Sequence, residues 1–166
     1  MSEAFLIWPD RRLRAKAAPV AQVGAAERAL WARMEAAMYA MPGVGLAAPQ
    51  IGEPVRLAVV DCEPHRRAPI RLANPEILEV AEAMETREEA SPNLPGIGAM
   101  VKRPAAVRVR YLDAEGAPTE RWFREFWATS VQHQIDHLEG WLFPDRLGPV
   151  KRRMLLERYA KLRRRG

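Results

Sequence analysis

The spacing of apolar residues predicts helices near both ends of the chain and one before its last loop. Apolar side chains recur at helical intervals over Ala25–Met41, and Pro42 then ends the pattern. A second helix is predicted over Trp127–Glu139, followed by Gly140, a residue type favoured just past a helix end. Helical spacing returns in a third segment, at about 148–166.

The middle of the chain predicts strands. Val55–Asp61 is rich in valine, and Ala106–Leu112 alternates apolar and basic residues, which is typical of a strand with one buried face. Asp113–Gly116 predicts a hairpin turn that leads into a return strand at Thr119–Phe126. Gly43–Gly52 predicts a glycine-punctuated loop or a short extended piece. Strands in the middle and helices around them indicate the α+β class.

Composition narrows the class of protein further. A chain of 166 residues, 48% of them hydrophobic, fits a single domain at 1–166 that can bury a core. Cys62 is the only cysteine, which excludes an intramolecular disulfide and a four-thiolate zinc site. No apolar run approaches the ~18 residues that a membrane span needs. The first residues lack the pattern of a signal peptide, so we expect a cytoplasmic protein with no membrane partner.

Positive charge is concentrated in the last segment. The formal net charge is +5, but residues 151–166 hold 8 of the 26 Lys and Arg and one of the 21 acidic residues, a balance of +7. Residues 1–150 therefore carry a balance of −2. A basic helix of this kind attracts phosphate backbones without reading their sequence, although a solvated helix end with no partner explains the charge equally well.

The sharpest chemical signal is a pair of histidines one helical turn apart. His133 and His137 stand at i and i+4 on the second predicted helix, so both imidazoles can reach one cation. In metallohydrolases with this spacing, the residue after the first histidine is usually a glutamate that takes a proton from metal-bound water. Here it is Gln134, whose amide can orient a water but cannot hold its proton. Because the spacing also arises by chance, two histidines with packing or surface roles are the alternative.

Three motifs in the chain resemble, in order and spacing, those of the peptide deformylase family. They are GVGLAAPQIG at Gly43–Gly52, EEASPNLP at Glu88–Pro95 and QHQIDHLEG at Gln132–Gly140. The resemblance continues in the flanks, from IWPDRRLRAKAAPV near the start through LANPEIL to HLEGWLFPDRLGPVKRR near the end. The resemblance covers essentially the whole chain, so the chain as a whole is identified as similar to this family.

The resemblance implies a fold, a reaction and a cofactor. The fold consists of small antiparallel sheets around a central helix, here Trp127–Glu139, that carries the histidine pair. The reaction is removal of the formyl group from the N-terminal methionine of nascent peptides, with Fe²⁺ or Zn²⁺ as the metal. His133 and His137 match the two imidazole ligands, and Ser91 stands at the position of a cysteine ligand. The basic C-terminal helix resembles the one with which family members approach the ribosome, so the ribosome and its RNA are expected partners.

The resemblance also assigns residues around the substrate. Gln50 resembles the side chain that helps to polarise the formyl oxygen. Further positions would contact the peptide or form a remnant methionine pocket, namely Gly45, Leu46, Glu89, Phe126, Thr129 and Ser130. The implied ligand is a formyl-methionyl or methionyl nascent peptide.

Three positions depart from the family pattern, and each removes a different part of the mechanism. Ser91 replaces a thiolate with a hydroxyl, which is a far weaker acid and a poor ligand for iron or zinc. Pro92 has no N–H at a position whose backbone N–H faces the developing oxyanion in the family. Gln134 stands in place of the general-base glutamate. We therefore expect metal binding to be weak or absent.

These departures leave three hypotheses for the activity. The first is a deformylase-like protein with weak or absent deformylase activity, whose retained fold binds a ligand. The second is an active, metal-dependent formyl-methionyl peptide hydrolase that holds its metal loosely and positions water with Gln134. A minor third is a serine hydrolase in which His133 or His137 activates Ser91.

Overall fold

The elements of the fold alternate short strands with three helices. The computed structural model describes residues 3–166. The helices in this part of the chain are α1 (Ala25–Ala40), α2 (Glu125–Leu138) and α3 (Pro149–Arg165). The strands are β1 (Gly45–Ala47), β2 (Leu57–Val60), β3 (Ile70–Val80), β4 (Met84–Ala90), β5 (Gly98–Pro104), β6 (Ala106–Leu112) and β7 (Pro118–Arg124).

The strands form two antiparallel sheets. The larger has the order β1-β2-β3-β6-β7, and the smaller is the β4-β5 hairpin. Register shifts in the β3-β6 pair, between Ala73 and Glu76 and between Ile77 and Glu79, mark irregularities that bend a strand and increase its twist. This α+β arrangement of small antiparallel sheets confirms the predicted fold class.

Helix α2 is the central element of the fold. All eleven residues from Ala128 to Leu138 are buried, although seven of them are polar or charged. One apolar part of the helix, including Val131 and Ile135, packs on the large sheet with Val109 and Phe123. Polar residues are costly to bury unless they find partners, so a buried polar run in the middle of the molecule indicates a functional site.

Glycine at position 45 allows β1 to lie directly against α2. A Cβ atom at Gly45 would come within 2.5 Å of both Gln134 Nε2 and Ser130 Oγ. With any larger residue, the ends of the Gln134 and Ser130 side chains would have to move. The close approach brings the first motif and the histidine motif to one place, as the resemblance implied.

The observed elements agree with the predicted ones at several places and differ at others. Strand β6 matches its predicted range, and Val107, Val109 and Tyr111 are buried on one face as the alternation predicted. The predicted return strand at Thr119–Phe126 extends too far, because α2 already begins at Glu125. Strands β3, β4 and β5 were not predicted.

Helix α3 carries the basic segment, and it is anchored to the rest of the fold. Tyr159 is buried in a cluster with Leu13 and Leu94, and its hydroxyl donates to the Trp8 carbonyl at 2.7 Å. Of the eight Lys and Arg in this segment, all but Arg152 are exposed. Among the helices of residues 3–166, none is long and apolar enough to cross a membrane.

Candidate active site

A cavity of about 370 Å³ opens between β1, β4 and α2. Its wall includes most of the site residues that the sequence predicted. Those that line it are Gly45, Gln50, Glu89, Ser91, Pro92, Phe126, Thr129, Ser130, His133 and Gln134. Further lining residues come from the segment before β1 and from the loop between β4 and β5. The three sequence motifs therefore meet at one cavity.

Two predicted site residues do not line the cavity. Leu46 is fully buried in the core beside Trp31, because side chains alternate along a strand and Leu46 faces away from the cavity side of Gly45. Its assignment to the substrate pocket did not take this alternation into account. His137 lies one turn deeper than His133 on α2, at 1% exposure.

The two imidazoles converge, as the spacing on α2 predicted. The Nε2 atoms of His133 and His137 are 3.1 Å apart, and the ring centroids are 4.9 Å apart. His133 Nδ1 lies 2.8 Å from a carboxylate oxygen of Glu89. When both imidazoles are neutral, Nδ1 is therefore the nitrogen of His133 that carries the proton. His133 Nε2 then accepts a hydrogen bond from His137 Nε2. Burial, followed by the proximity of His133 and Arg103, lowers the pKa of His137 well below its ordinary value and keeps it neutral.

A buried ion network holds His133 in place. Arg103 donates two hydrogen bonds to the Glu89 carboxylate, at 2.7 and 2.9 Å, and a third to Asp136 at 2.9 Å. Arg146 donates two more to Asp136. Burial raises the pKa of Glu89, but the hydrogen bonds from His133 and Arg103 outweigh burial and lower it to about 2. The Glu89 side chain therefore orients His133, and its contact with a substrate stays a prediction.

Ser91 and Gln50 are engaged by one neighbouring residue, Asn93. The Ser91 hydroxyl lies 3.1 Å from Asn93 Oδ1 and donates to it. Gln50 Nε2 donates to the same oxygen at 2.7 Å, and Gln50 Oε1 accepts from the Ala47 N–H at 2.9 Å. The oxygen of the Gln50 amide and one of its two N–H groups are thus used inside the protein, and the second N–H has, among the described residues, only Ser91 Oγ near it, at 3.5 Å.

Asn93 does not replace the N–H that Pro92 lacks. Its Nδ2 donates to the carbonyl of Leu6 and, at 3.2 Å, to the carbonyl of Gln50. An amide nitrogen has two hydrogens, so both are used on backbone oxygens. Pro92 itself lines the cavity without a backbone donor.

Gln134 lines the cavity with an amide that lacks a partner for its oxygen. The residue is 5% exposed, and its Oε1 is a buried atom with no hydrogen bond. Its Nε2 lies against β1, where glycine at position 45 leaves room for it. A buried acceptor without a donor costs roughly 1–3 kcal/mol.

The donor atoms here are a poor fit for a firmly bound iron or zinc ion. The histidine spacing suits two ligands of one ion, but the third position offers only a neutral serine hydroxyl whose hydrogen is directed at Asn93. The carboxylates of Glu89 and Asp136 are already engaged, Glu89 by Arg103 and His133 and Asp136 by Arg103 and Arg146. Within residues 3–166, no three His, Cys, Asp or Glu side chains are grouped to hold a metal. Weak metal binding stays a prediction.

The serine hydrolase hypothesis is not supported by this geometry. Among the hydrogen bonds of the described residues, Ser91 Oγ contacts Asn93 and Gln50 and makes none with a histidine. The Nε2 atoms of His133 and His137 face each other. Ser91 therefore has no base to accept its proton.

Two residues that matter to the site were missed by sequence reasoning. Arg103 is the centre of the ion network, and it is buried on the same side of β5 as Val101, but β5 itself was not predicted from the sequence. Asn93 stands in the second motif, but nothing in that motif indicates that it would bond Gln50, 43 residues earlier.

The fold and the site together define a class of protein. Small antiparallel sheets that wrap a buried helix, with two converging histidines at an open cavity, make this an α+β protein whose site is built on a helical histidine pair. The sequence profile of the family "Polypeptide deformylase" matches residues 3–153. The chain belongs to the polypeptide deformylase family.

Individual relatives support the same assignment over the whole chain. A peptide deformylase of Mesorhizobium japonicum is 46% identical over 160 residues, covering 95% of this chain and 91% of the relative. The crystal structure of a peptide deformylase from Legionella pneumophila has a TM-score of 0.90 and 38% identity, covering 99% of this chain and 96% of that one. A Met-Ala-Ser-bound peptide deformylase from Acinetobacter baumannii has a TM-score of 0.83 and 32% identity, covering 89% of this chain and 99% of that one.

Proposed function

We propose that this chain is a deformylase-family protein that binds N-terminal methionyl segments of peptides and has weak or absent deformylase activity. The observation that carries the proposal is the set of polar atoms around His133. The position of the family's thiolate holds the Ser91 hydroxyl, and the position of its base holds the amide of Gln134. Metal, oxyanion donor and base are three separate requirements of the reaction, and none of the three positions meets its requirement here.

The hydrogen bonds of Gln50 add a fourth argument for weak activity. Gln50 is the one polar residue of the formyl-oxygen site that matches the family pattern. Its amide nitrogen donates to Asn93 Oδ1 at 2.7 Å, and Pro92 offers no N–H beside it. Among the described residues, the second hydrogen of the Gln50 amide nitrogen has only the Ser91 hydroxyl near it, at 3.5 Å. A developing oxyanion would therefore lack the donor at Pro92 and have a single N–H of Gln50, and one such donor is worth about 2.7–4 kcal/mol in other hydrolases.

The open cavity supports retained peptide binding. Its volume of about 370 Å³ falls in the range of small-ligand pockets. Phe126, Thr129 and Ser130 line it, as the remnant methionine pocket requires. The Acinetobacter relative whose structure contains Met-Ala-Ser shares 32% of its sequence with this chain.

The second candidate is an active, metal-dependent formyl-methionyl peptide hydrolase, and specific observations favour it too. His133 and His137 keep a spacing that fits two ligands of one ion. The M. japonicum relative, which covers nearly the whole chain, is named a peptide deformylase. In such an enzyme, the amide of Gln134 would position a water next to the imidazoles but would not deprotonate it.

A further part of the proposal concerns the ribosome. The exposed Lys and Arg of α3 face solvent on a helix that Tyr159 anchors to the body. Such a surface attracts RNA phosphates. We therefore propose that α3 brings the protein to nascent chains.

Metal analysis combined with turnover separates the two candidates. We expect the purified chain to retain well under one equivalent of iron or zinc after dialysis against a mild chelator, and to deformylate a formyl-methionyl peptide poorly. The matched control is Ser91→Cys, which restores a thiolate and should raise metal occupancy. Stoichiometric metal in the unmodified chain, together with fast turnover, would establish the active enzyme instead.

A further inference from the structure

The amide of Gln50 is held in one orientation by its neighbours. Its oxygen accepts from the Ala47 N–H at 2.9 Å, and its nitrogen donates to Asn93 Oδ1 at 2.7 Å. A half-turn of the amide would bring two oxygens together at one end and two N–H groups together at the other, and both hydrogen bonds would be lost. The second N–H of Gln50 is therefore the group of this side chain that remains for a ligand, beside Ser91 on the cavity wall.

This orientation depends in turn on Asn93. Both hydrogens of Asn93 Nδ2 are used on backbone carbonyls, those of Leu6 and, at 3.2 Å, of Gln50. Oδ1 of the same side chain accepts from Gln50 Nε2 and from the Ser91 hydroxyl. Asn93 is fully buried, so a partner that is lost is not replaced by bulk water. The amide of Asn93 is thus as restricted as that of Gln50.

The N-terminal segment (Leu6–Trp8) is bonded to the backbone of both residues. The Leu6 N–H donates to the carbonyl of Gln50, and the Trp8 N–H donates to the carbonyl of Asn93, each at 2.9 Å. The carbonyl of Leu6 accepts from the Asn93 amide. Three hydrogen bonds therefore join this segment to the two residues that decide how the Gln50 amide is turned.

Helix α3 holds the other side of the N-terminal segment. The Tyr159 hydroxyl donates to the carbonyl of Trp8 at 2.7 Å, and the Arg163 guanidinium donates to the same oxygen. The side chains of Leu6 and Trp8 also pack on the buried cluster that contains Tyr159. A continuous set of hydrogen bonds thus leads from α3 through the N-terminal segment to the cavity.

We propose that Tyr159 is a positioning residue for the cavity, which acts through the N-terminal segment and Asn93 to keep an N–H of Gln50 directed at a bound peptide. A peptide or formyl carbonyl only accepts hydrogen bonds, so it needs this N–H rather than the amide oxygen. Helix α3 then contributes to the ligand site in addition to carrying the basic surface. The inference goes beyond the proposed function, and it rests on that function only where peptide affinity is measured.

The test variant combines Tyr159→Phe with Arg163→Gln. It removes both donors to the Trp8 carbonyl and keeps the aromatic ring that fills the buried cluster, so the chain should remain folded. Tyr159→Phe alone leaves Arg163 on the carbonyl and should give a smaller change in the same direction. The matched control is Arg152→Gln, which breaks an ion pair between α3 and Asp145 but does not touch the N-terminal segment.

The NMR resonances of the Gln50 side-chain amide report its orientation without any ligand. In the chelator-treated full chain, the Nε2 hydrogen that bonds Asn93 should resonate well downfield of the other, and Gln50→Glu identifies the pair by its loss. This separation should shrink toward that of free glutamine in the test variant and stay unchanged in Arg152→Gln. An unchanged separation in the test variant overturns the proposal.

Calorimetric titration with formyl-Met-Ala-Ser measures the consequence for binding. The test variant should bind this peptide about three- to tenfold more weakly than the unmodified chain, because one hydrogen bond to the peptide is poorly aligned. Arg152→Gln should change the affinity by less than about twofold. Equal affinities of the unmodified chain and the test variant contradict a role of Tyr159 in positioning.

Asn93→Ala distinguishes action through Asn93 from a general effect on the fold. This change should itself weaken peptide binding, and adding Tyr159→Phe and Arg163→Gln to it should weaken binding by less than about a further twofold. A further loss as large as in the unmodified background would show that Tyr159 acts by another route, which overturns the proposal.

Failure of the inference is distinguishable from failure of the proposed function. If the unmodified chain does not bind formyl-Met-Ala-Ser, the proposed function is contradicted, and the resonances of the ligand-free protein still decide whether Tyr159 positions Gln50. If the peptide binds while neither the resonances nor the affinity respond to the changes on α3, the inference alone is contradicted.

Discussion

Restoring the three replaced groups is expected to recover deformylation only when all three are changed together. The variant combines Ser91→Cys, Pro92→Leu and Gln134→Glu, which return the thiolate, the oxyanion N–H and the base. Each single change should alter turnover by less than about tenfold, because a base without a firmly held metal has no activated water to deprotonate. Ser91→Cys alone should raise metal occupancy and leave turnover poor.

The structure limits how large the recovery becomes. A returned oxyanion donor is worth about 10²–10³ in rate and a returned base about 10²–10⁴. Gln50 Nε2 stays on Asn93 Oδ1 in the triple variant, so only its second N–H can turn toward the formyl oxygen. We therefore expect a gain of about 10⁴, the lower end of the combined range.

The assay measures formate release from formyl-Met-Ala-Ser under anaerobic conditions with added Fe²⁺. It compares the unmodified chain, the three single variants and the triple variant. The matched control carries alanine at Ser91, Pro92 and Gln134, which changes the same positions without returning any group. Unmodified protein as active as the triple variant would refute the view that the replacements are disabling. A triple variant that holds one equivalent of metal yet remains inert would show that other parts of the cavity have changed.

Three further predictions test other parts of the molecule. Replacing Arg153, Arg158 and Lys161 with glutamine should weaken co-sedimentation with ribosomes and make it less dependent on salt. The melting temperature should not fall. Unchanged binding would exclude α3 as the contact. Arg103→Met leaves Glu89 and Asp136 without their shared partner. The free energy of unfolding should fall by about 3–5 kcal/mol and the melting temperature by roughly 10 °C. A shift in melting temperature under ~2 °C would contradict that reasoning. Burial raises the pKa of Asp145, but hydrogen bonds from arginines and the backbone outweigh burial and lower that pKa. The ionised Asp145 therefore stabilises the fold near pH 7, and this stabilisation is lost as the pH falls below about 4. Thermal melts of Asp145→Asn should therefore show a stability deficit at pH 7 that shrinks at pH 3, and a constant deficit would refute the assignment.

Local sequence patterns predicted the parts of the fold that have one buried and one exposed face. Strand β6 was predicted at its observed bounds because Val107, Val109 and Tyr111 alternate with polar residues. Strands β4 and β5 escaped prediction since their sequences mix charged and small residues without regular alternation, and they form a two-stranded hairpin whose face is only partly covered. Their stability depends on tertiary contacts that a local pattern does not contain.

The membership of the site was predictable from motif spacing, because helical geometry alone brings His133 and His137 together. The hydrogen bonds within the site were not predictable in the same way. The partner of Gln50 is Asn93, 43 residues away, and Asn93 is held by the carbonyl of Leu6, 87 residues before it. No motif includes the segment that carries Leu6.

These long-range contacts change what the family pattern means for activity. Gln50 matches the pattern, and motif comparison alone would count it as a retained functional residue. In the fold, Asn93 lies between Gln50 and the N-terminal segment, whose Leu6 and Trp8 N–H groups donate to the carbonyls of Gln50 and Asn93 at 2.9 Å. The oxygen of the Gln50 amide and one of its two N–H groups are thereby used within the protein, so only the second N–H remains for a ligand. Pro92 is then the position at which the formyl site loses a donor outright, whereas Gln50 keeps one N–H in an orientation that Asn93 and the N-terminal segment fix.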